Sequence, residues 1–190
     1  RNDARPWHSV IIRGGGTGAG SVNDGHYVYI FPANGANPPI EIFESDTPLI
    51  VENRELLANS GGPGRMKGGL GQREVFRVPD DKYAPIPPVN LGIQAGRHIH
   101  PPEGLFGGKH GSKAQFLVNG MSGNPFGLTQ LKPGDVVTID AAGGGGYGNP
   151  LERELEMVVS DVMEGYVSLE RAREDYGVVI DPARFTIDRE

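Results

Sequence analysis

The sequence predicts an α+β fold, predominantly β over residues 1–142 and closed by a C-terminal helical pair with a short final strand. Three observations predict it. Short runs rich in β-branched and aromatic residues recur between turn formers through the first 142 residues, the signature of strands. The 30 glycines and 16 prolines lie mostly between those runs, where they act as punctuation. After the four consecutive glycines at 143–146, apolar residues change to helical spacing. The expected organisation is a β-rich domain at 1–142, with a glycine-rich turn, helical pair and closing strand at 143–190 packed on it as one compact unit.

In chain order, residues 7–13 read as a strand already under way at the first residue. Because the chain also starts at Arg1 instead of Met, we expect a piece of something longer. Strands are expected at 28–31, 40–43, 49–51, 74–78, 115–118 and 136–139. Residues 79–102 hold six prolines, too many for the interior of a regular element, and are expected to cross the surface between two β units. Asn149 and Pro150 suit the start of a helix over about 150–164, with Leu151, Leu155, Val158, Val159 and Val162 forming its apolar stripe. Its other face carries Glu152, Arg153, Glu156 and Asp161, which are expected in water. Ser168 caps a second helix with Leu169, Ala172 and Tyr176 on one side and Gly177 as its stop, and residues 178–180 return to a strand.

Bulk composition excludes several roles. The net charge of −6 argues against nucleic acid or an anionic membrane surface as the main partner, since both need clustered Lys and Arg. Without cysteine there is no disulfide framework, thiolate nucleophile or cysteine metal site, which suits a cytoplasmic protein. No apolar run approaches the roughly 20 residues of a membrane span.

Local motifs exclude more than they assign. Neither residues 61–71 nor 107–110 end in the Gly-Lys-Ser/Thr that a phosphate loop requires. The glycines at 14–20 hold a Gly-x-Gly pattern with no helix after it. His98 and His100 would share a strand face, yet they stand before Pro101 and Pro102 with only Glu103 nearby, so they read as solvated loop histidines. His8, His26 and His110 stand alone. Ser60 lacks the surroundings of a nucleophile elbow. Glu41 and Glu44, three apart on an expected strand, would point to opposite faces. The cluster of most interest is Asn34, Asn37, Glu41 and Glu44 with Ser60, Arg65 and Lys67. If the strands around 40–43 and 49–57 pair, the Asn-rich loop and the glycine loop open at one end, where amides, carboxylates and a cationic fork would suit a polar, anionic or amide-bearing ligand. A capped loop with a surface ion pair is the alternative.

Taken together, the pieces Asn23-Asp24-Gly25, Asn37-Pro38-Pro39-Ile40-Glu41, the loop from Ser60 to Gly71, Pro102-Glu103-Gly104-Leu105-Phe106-Gly107-Gly108, Lys132-Pro133-Gly134-Asp135 and the block from Gly143 to Val178 resemble the hydantoinase B/oxoprolinase family. Their order and spacing carry the resemblance, which covers essentially the whole chain.

The resemblance implies the C-terminal portion of a larger B-type subunit in an ATP-dependent complex. Such complexes hydrolyse cyclic amides (hydantoin, 5-oxoproline or lactam) or carboxylate ketones of the acetone or acetophenone type. ATP and Mg are held by a companion hydantoinase A-type subunit, and a catalytic divalent metal, where a member has one, belongs to the N-terminal half of the B-type subunit. No cofactor or metal is therefore expected on this chain. The implied partners are the N-terminal portion of the same subunit, the A-type subunit in a hetero-oligomer, and the small-molecule substrate. In this chemistry, converting the carbonyl oxygen to a phosphate ester makes an amide or ketone reactive, and glycine-rich walls would bring backbone amides close to the charged intermediate. A noncatalytic scaffold role is the competing expectation.

Overall fold

The structure, a computed structural model, describes residues 8–30, 32–33, 35, 37–82, 84 and 88–187. Its centre is a five-stranded antiparallel sheet in the order β1 (Ile50–Leu56), β2 (Gln72–Arg77), β7 (Val136–Asp140), β4 (Gln115–Val118), β5 (Met121–Ser122). A two-stranded ribbon of β3 (Val89–Gly92) and β6 (Leu128–Leu131) lies beside it, and β8 (Ile180–Asp181) pairs with β9 (Thr186–Ile187). The strands expected near 49–51, 74–78, 115–118 and 136–139 are present as β1, β2, β4 and β7. One core fills the space between sheet, ribbon and the short helix α1 (Ile40–Asp46), built from Phe43, Leu49, Phe76, Val78, Val89, Phe116, Leu131 and Val137. A second core lies in the C-terminal unit. Among the described residues no helix is long and apolar enough to cross a membrane.

Several expected elements differ, each for a physical reason. Residues 40–43 form the first turn of α1 and not a strand. Pro38 and Pro39 remove two ladder donors just before the run, and Phe43 alone is buried, its ring 6.2 Å from that of Phe76. The Thr47 hydroxyl donates to the Phe43 carbonyl at 2.9 Å and closes the helix. The paired strands imagined for 40–43 and 49–57 are thus a helix and a strand, and Glu41 and Glu44 sit three apart on α1, on neighbouring positions of its surface. Residues 28–30 make only isolated bridges, Tyr29 to Gly15 and Ile30 to Gly35, while Val28 adopts a φ of +48° that breaks the extended run. Phe31 lies outside the described residues. Residues 8–13 form no strand, and Trp7 lies outside the described residues. The proline-rich crossing at 79–102 contains β3, because Val89 and Leu91 pack into the first core opposite β6.

The helix expected over 150–164 divides. A single 3₁₀ turn at Pro150–Glu152, capped by Asn149 Oδ1 accepting from the Leu151 amide, is followed by two extended residues and then α2 (Leu155–Met163). The break turns Arg153 inward. It also places Leu151 (68 % exposed) and Leu155 (46 % exposed) in solvent, leaving Val158 and Val162 as the buried part of the expected stripe. Arg153 and Asp161, expected in water, are buried. The second helix matches expectation. In α3 (Leu169–Tyr176), Ser168 Oγ accepts from the Arg171 amide, Gly177 takes φ +68° at the stop, and Ala172 and Tyr176 are buried. The closing strand is the pair β8–β9, with β8 beginning at Ile180 instead of Val178.

The glycine-rich segments converge. The 143–146 run threads between the segments at 14–20, 61–71 and 104–111, exchanging backbone hydrogen bonds with each: the Gly62 amide donates to Gly144 O (2.8 Å), the Ala19 amide to Gly145 O (2.9 Å) and the Leu105 amide to Gly146 O (2.9 Å). A Cβ at Gly144 would collide with the Thr17 carbonyl and one at Gly145 with the Glu103 carbonyl. The run needs glycine because backbone lies against backbone, and a positive φ is reached only past it, at Gly148.

Candidate functional site

The structure separates the expected site residues into four places. Ser60 and Lys67 are interior. Ser60 Oγ donates to Leu57 O (2.6 Å) and accepts from the Gly71 amide (2.9 Å), so it ties the two ends of the glycine loop together. Lys67 is 0 % exposed, and its ammonium reaches Asp161 Oδ1 at 2.6 Å and Tyr27 Oη at 3.2 Å. Two rings flank it, with Nζ 5.4 Å from the Tyr27 centroid and 5.0 Å from that of Tyr166.

Around Lys67 lies a network legible only in three dimensions. Arg153 donates through Nη1 and Nη2 to the two carboxylate oxygens of Asp24 (2.8 and 2.7 Å), and Nη2 also reaches Asp161 Oδ2 (2.9 Å). Asp24 Oδ1 further accepts from the Lys67 amide at 2.7 Å. Two acids and two bases are thus matched in pairs with no net charge, three of them buried and Asp24 partly exposed. Burial pushes the Lys67 ammonium below its usual value, and Asp161 works against that shift. Burial opposes the charge on Arg153 too, yet the hydrogen bonds from Asp24 and the Asp161 charge outweigh it and raise its pKa. Burial, then the nearby Asp161 and Asp24 charges, pushes Tyr27 up to about 12. The network anchors the helical pair to the glycine segments, aided by Lys109 to Asp175 (2.7 Å) and Asn59 Oδ1 accepting from the Ser168 amide (2.8 Å).

Arg65 is nearby but half-exposed, its Nη2 donating to Ser21 O at 2.8 Å. Glu41 and Glu44 lie exposed on α1, where Glu44 Oε1 accepts from the Val51 amide at 2.7 Å. Asn37 lies over β2, donating from Nδ2 to Gln72 Oε1 at 2.7 Å while its buried Oδ1 has no partner among the described residues. Asn34 lies outside the described residues. Among the described residues the Asn-rich loop reaches the glycine loop through Asn37, Gln72 and the Gly71–Ser60 link. The amides expected to face a charged intermediate are engaged within the fold: those of Gly62, Gly68, Gly69, Gly144 and Gly146 each donate to a backbone carbonyl.

A second ionic cluster adjoins Asn37. Glu74, buried on the same face of β2 as Gln72 and Phe76, accepts from Arg54 Nε at 2.7 Å and from Arg13 Nε, and Arg54 Nη1 donates to Pro38 O at 2.8 Å. Burial holds the Arg13 guanidinium below its usual value despite Glu74. The sequence reading missed Glu74, Arg13, Arg54, Asp24, Arg153 and Asp161. The signal available was Glu74 sharing a strand period with Phe76. Among the described residues no group of three or more His, Asp or Glu is placed to hold a metal ion, and His98 contacts the Phe126 ring at 4.6 Å.

Comparison with known proteins gives this geometry a family. The profile described as Hydantoinase B/oxoprolinase matches residues 1–150. The caprolactamase subunit beta of Pseudomonas jessenii is 36% identical over 151 residues, covering 75% of this chain and 25% of that protein. Among solved structures, nucleotide-free acetone carboxylase superposes with a TM-score of 0.77 at 26% identity, over 93% of this chain and 28% of its own. The crystal structure of the ATP-dependent caprolactamase from Pseudomonas jessenii superposes at 0.69 and 28% identity, over 89% and 30%. The chain spans about a quarter of the length of the curated relatives it matches. Profile, sequence relatives and superposed backbones agree that the chain belongs to the hydantoinase B/oxoprolinase family.

Proposed function

We propose that the chain serves as the C-terminal region of a B-type subunit in an ATP-dependent cyclic amide hydrolase, acting on a hydantoin, 5-oxoproline or lactam together with an A-type subunit that binds ATP and Mg. The observation that carries this reading is the 36% identity to a caprolactamase subunit across three quarters of the chain. ATP would supply activation of the amide carbonyl. This chain would supply a rigid glycine-packed wall and the polar groups left half-exposed beside it, Asn37 and Arg65 first, with Glu41 and Glu44 on the adjoining α1. Ser60 and Lys67 would act from the interior by holding the glycine loop in place. A catalytic divalent metal would belong to the N-terminal portion of the same subunit. That portion would also cover apolar groups the described residues leave bare, such as Leu105 and Phe106 (77 % exposed) on a turn where Phe106 takes φ +52°. The compartment we propose is the cytoplasm.

A second reading, an ATP-dependent ketone carboxylase, is favoured by the closer superposition on acetone carboxylase. The deciding experiment assays the intact subunit with its A-type partner. ATP-dependent ring opening of caprolactam, hydantoin or 5-oxoproline supports the hydrolase, and ATP-dependent fixation of bicarbonate onto acetone supports the carboxylase. Arg65→Ala or Glu41→Ala that removes turnover in an assembled complex places these residues at the site. Loss of assembly alone favours a scaffold.

A further inference from the structure

The β3–β6 ribbon presents a strand edge that no described residue pairs with. In its antiparallel register the Ile93 amide donates to Gly127 O (3.1 Å) and the Ala95 amide to Pro125 O (2.9 Å), so by alternation the odd-numbered residues of the run face β6. The N–H and C=O groups of Asn90, Gly92 and Gln94 therefore point the other way. All three residues are exposed, and among the described residues their backbone groups make no hydrogen bond. A free edge is ordinarily blunted by a lysine, a proline, an inward charge or a bulge, and this one carries Asn, Gly and Gln in regular register. A two-stranded ribbon is only marginally stable by itself, and a third strand would complete it.

A groove runs along the same edge. Its first part is a cavity of about 540 Å³ bounded by residues 88–93 and by His8, Ser9, Val10 and Ile11. Its second is a cavity of about 490 Å³ bounded by residues 92–97 and by Gly15, Gly16 and Gly18. The two share Ile11, Gly92, Ile93 and Ile139, so they form one continuous slot. Leu49, Phe76 and Ile139 give it an apolar floor, and no backbone hydrogen bond crosses it from residues 8–16 to residues 89–95 among the described residues. At its rim Val10 (75 % exposed) and Leu128 (79 % exposed) leave apolar surface in water. Unpaired main chain on one wall and apolar pockets beneath are what strand addition uses, the first for affinity and the second for the choice of alternate side chains.

We propose that the slot receives one extended segment of the same subunit from outside residues 1–190, which adds to β3 as a third strand and lays alternate apolar side chains on the floor. This rests on the reading of the chain as the C-terminal region of a longer subunit. The same polypeptide is the source because the chain spans about a quarter of the curated relatives it matches, and a tethered segment meets the slot at high effective concentration. A second copy fits less well. Its own β3 edge lies beside its own residues 8–16, and two such edges cannot pair without displacing both flanking segments.

Intact-mass measurement on the purified subunit comes first, and a polypeptide that extends no further than 190 residues overturns both the proposal and the reading beneath it. In a longer chain, hydrogen exchange resolved by electron-transfer fragmentation is expected to show the amides of Asn90, Gly92 and Gln94 exchanging at least about a hundredfold more slowly than in an unfolded peptide, like those of Leu91 and Ile93. Fast exchange at those three beside protected Leu91 and Ile93 overturns the proposal alone. A benzoylphenylalanine in place of Asn90 is expected to cross-link to a peptide of the same chain outside residues 1–190. Cross-links only within residues 1–190, to a second copy or to another subunit overturn the proposal. Gly92→Pro removes an outward amide that β6 does not use, and should speed exchange at Asn90 and Gln94 about tenfold while Ile93 stays protected. Gly92→Ala, which keeps the amide, should change neither. Exchange indifferent to Gly92→Pro overturns the proposal, and should that variant fail to fold, the cross-link from position 90 decides.

Discussion

Two buried ionic clusters lie on either side of the glycine-packed centre, and they are built on opposite principles. The Asp24–Arg153–Asp161–Lys67 network is neutral, and each of its charges meets an opposite one at 2.6–2.9 Å. The Arg13–Arg54–Glu74 cluster sets two cations against one anion among the described residues, and the Arg13 guanidinium lies 5.7 Å from the centroid of the Phe43 ring. A closed network of matched charges is what holds two structural units together, since any change within it strands a charge. An unbalanced one leans on an aromatic face where a second anion would otherwise stand.

Breaking the closed network should give the largest effect. Asp161→Asn leaves Lys67 and Arg153 with only Asp24 between them, and is expected to destabilise the fold by about 3–5 kcal/mol, measured by urea unfolding. The Arg13–Arg54–Glu74 cluster should respond less. Arg13→Met leaves a neutral Arg54–Glu74 pair and is expected to cost about 1 kcal/mol, the value of one hydrogen bond. A cost equal to that of Asp161→Asn would erase the distinction between the two clusters.

Alkaline pH sharpens the comparison, because Tyr27 and Tyr176 border the closed network. Tyr27 stays protonated in the fold up to about 12 and ionises near 10 when unfolded, so the unfolded state binds fewer protons between those values. Stability from Tyr27 is therefore fully present below pH 10 and lost as pH rises toward 12. Tyr27→Phe should flatten part of that decline in melts taken from pH 9 to 12; Tyr176, also raised chiefly by burial, retains the rest. Lys67 acts in the opposite sense at lower pH. Its folded value lies below its unfolded one, so its contribution grows as pH climbs toward the ordinary lysine range, and Lys67→Met should remove that rise. The smallest effect is expected outside both clusters. Glu156→Gln, on the exposed side of α2, should change stability by less than about 0.5 kcal/mol in the same melts.

The place of each charged residue was the least legible feature. Arg153 and Asp161 fall on the polar side of an ideal helical wheel, and only the extended break at residues 153–154 turns Arg153 toward Asp24, 129 positions away in sequence. Glu74 alternates correctly with Phe76 as a core position, but nothing local says that a carboxylate there will be met by Arg13, 61 residues earlier. Lys67 looked like a ligand group because lysines are seldom buried; its partners come from two distant segments.

Sequence by itself determined the strands with strong β-branched runs, the caps of α3 at Ser168 and Gly177, the need for glycine at 143–146, and the family. All of these rest on local stereochemistry or on ordered motifs, which travel with the chain. Tertiary structure alone decided that residues 40–46 coil into a helix, that the glycine amides bond to each other, and which charges meet which. Those outcomes depend on which surfaces meet. A residue's burial and its counter-ion are properties of segments brought together by the fold, and no window of neighbouring residues contains them.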